Sequence, residues 1–117
     1  MLRLTEDLRF YLYTGKVNLR RGCMSLCELI RNEMGCDPRN ENGVYVFMNK
    51  ARTIARLIHY ERGFYVMYEK RPESGKFRKP VYDVKSKKYK ICYTDLLCLL
   101  ESLARVEITL SKAVDEN

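Results

Sequence analysis

The fold turns on one stretch, VYVFMNKARTIARLIHYERGFYVMYEKR, which runs from Val44 to Arg71. Val44–Met48 is a short apolar run, Asn49-Lys50-Ala51-Arg52 turns the chain, and Thr53–Tyr60 is rich in β-branched and aromatic residues. Glu61-Arg62-Gly63 reads as a tight loop, after which Phe64–Lys70 resumes the strand pattern. Connections this short force neighbouring strands to run antiparallel. In the middle strand Arg52, Ile54, Arg56, Ile58 and Tyr60 share one face, and Thr53, Ala55, Leu57 and His59 share the other. Arg56 sits between two isoleucines, so its charge must reach an edge, pair with an acid or face a ligand.

Working outward, Leu8–Tyr13 reads as a first strand ended by Gly15. Cys23, Leu26, Cys27, Ile30 and Met34 then fall at helical spacing, which predicts a helix near 22–34, stopped by Gly35 and Asp37-Pro38. Asn42-Gly43 signals a reversal into the meander. Beyond the meander, RPESGKFRKP (71–80) is loop-like, and Val81–Val84 against Tyr89–Tyr93 suggests a last hairpin. Thr94 suits a helix cap, with Asp95 in the first turn where the helix dipole favours an acid. A C-terminal helix near 94–106 follows, with Leu96, Leu97, Leu99, Leu100 and Leu103 around most of its circumference. The expected fold is α+β: an antiparallel sheet of about five strands with central meander 44–70, one helix after the first strand and one at the end. Residues 1–110 are expected to form a single domain, and 111–117 a frayed tail.

The chain has 117 residues, enough for one modest core. No apolar run approaches the ~20 residues of a membrane span. The opening MLRLTEDLRFYLY has acids before its apolar part, unlike a signal peptide, so a cytoplasmic, reducing setting is expected. Five cysteines, an odd number, do not close a disulfide framework. Only Cys23 and Cys27 have metal-ligand spacing and His59 is the single histidine, which favours buried, reduced thiols over a metal site.

The net charge of +7 is unevenly spread. Residues 49–90 hold thirteen Lys or Arg and four acids, a balance of +9, while the remainder holds nine and eleven, a balance of −2. A localised basic segment points to a polyanionic partner, although solubility alone would also explain it. Phosphate-binding glycine loops, a G-x-S-x-G elbow and an H-E-x-x-H helix are absent. Glu61, Glu69 and Glu73 could gather around magnesium, but they follow the pattern of solvated turn and edge charges. His59 reads as an ordinary sheet residue. No enzymatic activity and no cofactor are expected.

Several short stretches, in order, resemble one family. Asn18-Leu19-Arg20-Arg21-Gly22 stands where that family reads D-M-R-K-G, and Asp37-Pro38 matches its D-P before the meander. Val46-Phe47-Met48-Asn49-Lys50 matches V-F-x-N-R. Gly63-Phe64 followed by Tyr68-Glu69-Lys70-Arg71 matches G-F-x-x-x-Y-K-R-L. Pro80 matches a proline after a basic, aromatic stretch, and Leu99-Leu100-Glu101 a closing L-L-E. Across residues 8 to 105 the chain is similar to the accessory Orf2-like (TnpB) family of IS66-type insertion sequences. Asn18 in place of an acid, Tyr60 in place of a tryptophan and a less Arg-rich turn at 50–56 depart from its pattern.

The resemblance implies a bacterial, cytoplasmic accessory protein of transposition, encoded beside a separate catalytic transposase. DNA contacts are then expected from Lys50, Arg52, Arg56, Lys70 and Arg71 on the sheet. Arg78, Lys79, Lys87, Lys88 and Lys90 would add contacts from basic loops, and Arg20 and Arg21 from the approach to a helix. Tyr45, Tyr65 and Tyr68 could stack on bases, or simply pack. The expected partners are DNA, at element ends or without sequence preference, and the transposase, with no membrane. The alternative is a protein-interaction subunit that docks on the transposase through the leucine-rich helix or a sheet edge without touching DNA. Homodimerisation through that helix is a further option.

Overall fold

The computed structural model describes residues 4–80 and 88–101. Five strands and two helices occur in the order β1 (Arg9–Tyr13), α1 (Cys23–Asn32), β2 (Gly43–Met48), β3 (Ala55–Glu61), β4 (Phe64–Lys70), β5 (Lys88–Ile91) and α2 (Tyr93–Glu101). They form a single sheet with strand order β4-β3-β2-β1-β5. The α+β class and the meander are as expected, but the sheet is mixed and not wholly antiparallel. β1 and β2 run parallel, with register Arg9↔Gly43 through Leu12↔Val46. The reason is α1: a helix between two strands carries the chain back to its starting edge, which a tight turn cannot do.

Two turns set the meander. Between β3 and β4, Arg62 (φ 48°) and Gly63 (φ 91°) both occupy the left-handed region, the signature of a type I′ hairpin whose twist matches its strands. Gly63 adopts this at no steric cost, whereas Arg62 does so against its Cβ. Between β2 and β3 the loop is longer than expected, because Thr53 and Ile54 belong to the turn and not to the strand. Asn49 holds them there. Its side-chain oxygen accepts the N–H groups of both Thr53 and Ile54 at 2.9 Å, and its Nδ2 donates to Thr53 Oγ1 at 3.0 Å.

Strand alternation divides the core in two. Phe10, Leu12, Val44, Val46, Ala55 and Leu57 face α2 and pack with Leu96, Leu99 and Leu100. Tyr13, Tyr45, Phe47 and Ile58 face α1 and pack with Leu26, Cys27, Leu29 and Ile30. One helix therefore covers each face, giving three layers. Each fully buried Leu, Ile or Phe contributes ~1.5–3 kcal/mol, which must offset the entropy of ordering the chain. The leucines of α2 do not all need neighbours, since Leu97 is only half-buried and Cys98 is exposed.

Several boundaries differ in detail from expectation. α2 begins at Tyr93, with Leu96 N–H bonded to the Cys92 carbonyl at 2.9 Å, so Thr94 lies inside the first turn beside Asp95 and is not the cap. β5 spans Lys88–Ile91 and pairs antiparallel with β1. The Val81–Val84 strand, the 102–106 part of the last helix and the 111–117 tail lie outside the described residues. All five cysteines are free, but only Cys27 is buried; Cys92 and Cys98 are exposed. The expectation of buried thiols thus fails for those two.

Candidate functional site

The parallel pairing decides where cations gather. Because β1 and β2 run side by side, their carboxyl ends lie at the same end of the sheet. The ladders then place Met48 opposite Ala55, Ala55 opposite Lys70, and Tyr13 opposite Lys88. Lys16, Lys50, Arg52, Lys70 and Arg71 thus follow or end strands at one end of the molecule. In open sheets with parallel strands, the crevice outside the carboxyl ends is where ligands bind.

The 71–80 loop completes this end by folding back. Phe77 is fully buried in the α2-side core. Its N–H donates to the Arg52 carbonyl at 2.8 Å, and Arg52 Nη1 donates to the Phe77 carbonyl at 3.2 Å. Arg52 holds a left-handed backbone (φ 61°) in making this reciprocal pair. The anchor brings Arg78, Lys79 and Pro80 over the mouth of the β1–β2 crevice.

The result is a groove made of two adjoining cavities, about 580 and 590 Å³, which share Leu12, Arg52, Lys79 and Pro80. Lys16, Lys50 and Asn49 line one lobe, with Met48 and Val17 as apolar wall. Arg78 and Asp95 line the other, with Ile91 and Leu99 beneath. Among the described residues, five cations therefore face one acid. Gly15 is required by the crowding at this wall: a Cβ there would lie 2.5 Å from the Tyr13 hydroxyl oxygen. Tyr13 is held in turn by donating to Glu33 at 2.9 Å, and burial pushes its phenol up to about 12.

Four of the groove cations, Lys16, Lys50, Arg78 and Lys79, are exposed and have no ion-pair partner among the described residues. Arg56, Lys70 and Arg71, elsewhere on the sheet, are engaged by acids. Arg56 donates Nε to its cross-strand partner Glu69 at 2.8 Å and a terminal nitrogen to the Arg21 carbonyl at 2.9 Å. Its side chain is 14% exposed, so the buried charge is resolved by pairing. Arg71 also binds Glu69, and Lys70 pairs with Glu101. The Arg71 and Arg56 hydrogen bonds hold the Glu69 carboxyl below its ordinary range.

Of the residues expected to contact DNA, the structure brings Lys50, Arg52, Arg78 and Lys79 together in the groove. Arg56 and Arg71 instead bind Glu69, Arg21 meets Arg56 through its backbone carbonyl, with exposed Arg20 next in sequence, and Lys70 lies beside Glu101. Lys90 is exposed on edge strand β5, Lys88 opens that strand, and Lys87 lies outside the described residues. Tyr45 cannot stack on a base: it is 1% exposed and donates to the Asp37 carbonyl at 3.2 Å. Tyr65 accepts from Arg31 at 3.1 Å, and Tyr68 donates to Glu61 at 2.9 Å. Glu61 and Glu69 sit at opposite ends of the β3–β4 hairpin, so these acids form no shared magnesium site. His59 is buried, with Nδ1 3.1 Å from the Gly43 carbonyl. Lys16, Asn49 and Phe77 escaped sequence reasoning. Only the Asn within the V-F-x-N-R stretch offered a signal.

The sequence model of the IS66 Orf2-like protein family matches residues 8–109. The chain belongs to the IS66 Orf2-like family. No curated protein and no solved structure matches it. Membership implies an accessory role in the transposition of an IS66-type element. Three of the stretches that carry the family resemblance meet at the groove of this IS66 Orf2-like protein, through Asn18, through Asn49-Lys50 and through Pro80. Among the described residues, no helix is long and apolar enough to cross a membrane.

Proposed function

We propose that this IS66 Orf2-like protein is a non-catalytic DNA-binding factor that assists a separate transposase, with the groove at the carboxyl end of the parallel strands as its DNA site. The observation that carries this is the division of labour among the cations. Arg56 and Arg71 share Glu69 and Lys70 pairs with Glu101, whereas Lys16, Lys50, Arg78 and Lys79 line one groove with no ion-pair partner among the described residues. Unpaired like charges held together repel one another and are stabilised by a bound polyanion.

The alternative, docking on the transposase without DNA contact, is supported by a different feature. β4 is an edge strand of seven residues with no neighbour on its outer side among the described residues, and Phe64 at its start is 71% exposed. Such an edge can accept a strand from another protein. The leucine-rich helix is less suited to this, because Leu96, Leu99 and Leu100 are spent in the core.

Fluorescence anisotropy with labelled duplex carrying the element's terminal sequence, beside a scrambled duplex, tests the proposal. A Lys50→Ala/Lys79→Ala protein is expected to bind at least about ten-fold more weakly with an unchanged unfolding midpoint. Arg39→Ala, in the loop that enters β2 from the opposite end of the sheet, is expected to bind as the parent does. Tighter binding to the terminal sequence would make this an end-recognition factor. No binding to either duplex at low salt would favour docking through the β4 edge.

A further inference from the structure

The groove is more than a ring of charge. Its rim is cationic, but its floor is apolar and recessed: Leu12 and Met48 lie under Lys16 and Lys50, and Ile91 and Leu99 lie under Arg78. Leu12 is 2% exposed and belongs to the core, so the floor is a fixed part of the fold. Each lobe has the volume of a small-ligand site, in the range of roughly 300–1,000 Å³.

A base-paired duplex fits only half of this. Its phosphates can reach the rim, but the faces of its bases are already stacked on one another, so the apolar floor stays wet. An unpaired strand satisfies both parts. Its phosphates meet Lys16, Lys50, Arg78 and Lys79, while an unstacked base packs its face against Met48 and the floor beneath. The two lobes share Arg52 and Lys79, which places cations between successive base positions, where the backbone of a single strand would cross. We infer that the groove takes single-stranded DNA, or the unpaired end of a duplex, in preference to closed duplex. This rests on the proposed DNA-binding function and assigns the form of DNA.

The test uses three labelled probes of one sequence: a single strand, its blunt duplex, and the duplex with an unpaired tail. Binding is measured by anisotropy at one salt concentration, and 2-aminopurine in the unpaired segment reports unstacking. The single strand and the tailed duplex are expected to bind about ten-fold or more tightly than the blunt duplex, with a change in 2-aminopurine emission on binding. Met48→Gln, a half-buried position that tolerates a polar side chain of similar length, is expected to lower single-strand affinity toward that of the blunt duplex. Blunt duplex binding as well as single strand would overturn the inference while leaving the DNA-binding function intact. A single-strand preference that survives Met48→Gln, with no change in 2-aminopurine emission, would overturn the assignment to this groove. Absence of binding to all three probes at low salt would overturn both.

Discussion

Arg52 and Phe77, twenty-five residues apart in sequence, bind each other in both directions: Phe77 N–H to the Arg52 carbonyl at 2.8 Å, and the Arg52 guanidinium to the Phe77 carbonyl at 3.2 Å. The pair locks the basic 71–80 loop to the β2–β3 turn and so assembles the groove. It also separates two roles for cations in one small site. Arg52 builds the site, and Lys16, Lys50, Arg78 and Lys79 are left to use it.

Phe77→Ala should therefore damage both stability and the site. Removing a fully buried ring costs about 3–5 kcal/mol, and the loop loses its anchor. A urea midpoint well below the parent's is expected, together with weaker DNA binding. Arg52→Ala should cost less stability, about 1–3 kcal/mol for a carbonyl left without its donor.

Asn49→Ala should loosen the β2–β3 turn, because two backbone N–H groups lose their shared acceptor. Destabilisation of about 1–3 kcal/mol is expected. Asn49→Asp keeps both acceptor contacts and should fold better than Asn49→Ala, while adding a negative charge to the groove and weakening DNA binding. Denaturation and anisotropy on the same two proteins check both halves.

Arg62→Asn should stabilise the protein. Asn-Gly suits the type I′ turn that Arg62-Gly63 now makes, since Asn tolerates positive φ better than Arg. A gain of a few tenths to about 1 kcal/mol is expected, read from the shift in urea midpoint.

The Glu69 carboxylate carries a pH signature. Arg71 and Arg56 lower its affinity for a proton in the folded state. A group lowered in this way adds stability that is fully present above its unfolded value, about 4.3, and is lost as pH falls through the folded value. Parent and Glu69→Gln proteins should thus differ in denaturation midpoint at neutral pH and converge below pH ~4. A constant difference across that range would show that Glu69 acts through packing alone.

Much of the fold was legible in the sequence. Apolar residues at helical spacing from Cys23 to Ile30 marked α1, and Arg62-Gly63 marked the β3–β4 hairpin, because both signals are local. Arg56 was legible as a problem, a charge between two isoleucines, and its cross-strand partner Glu69 solved it. The parallel β1–β2 pair was not legible, since local turn rules describe adjacent strands and say nothing of where a helix returns the chain. The groove depended on that pairing and on Phe77, a lone aromatic in a polar loop whose burial requires a surface built from distant strands. Lys16 was passed over for the same reason: its company is set by topology and not by its neighbours in sequence.

The most direct measurement is the salt dependence of DNA binding. If the groove cations neutralise four or five phosphates, log K should fall against log salt with a slope of about −3 to −4.5. The Lys50→Ala/Lys79→Ala protein should flatten that slope by about 1.5 while keeping the parent's stability. A slope near zero, or a steep slope that this substitution leaves unchanged, would contradict the claim that the groove is the DNA site.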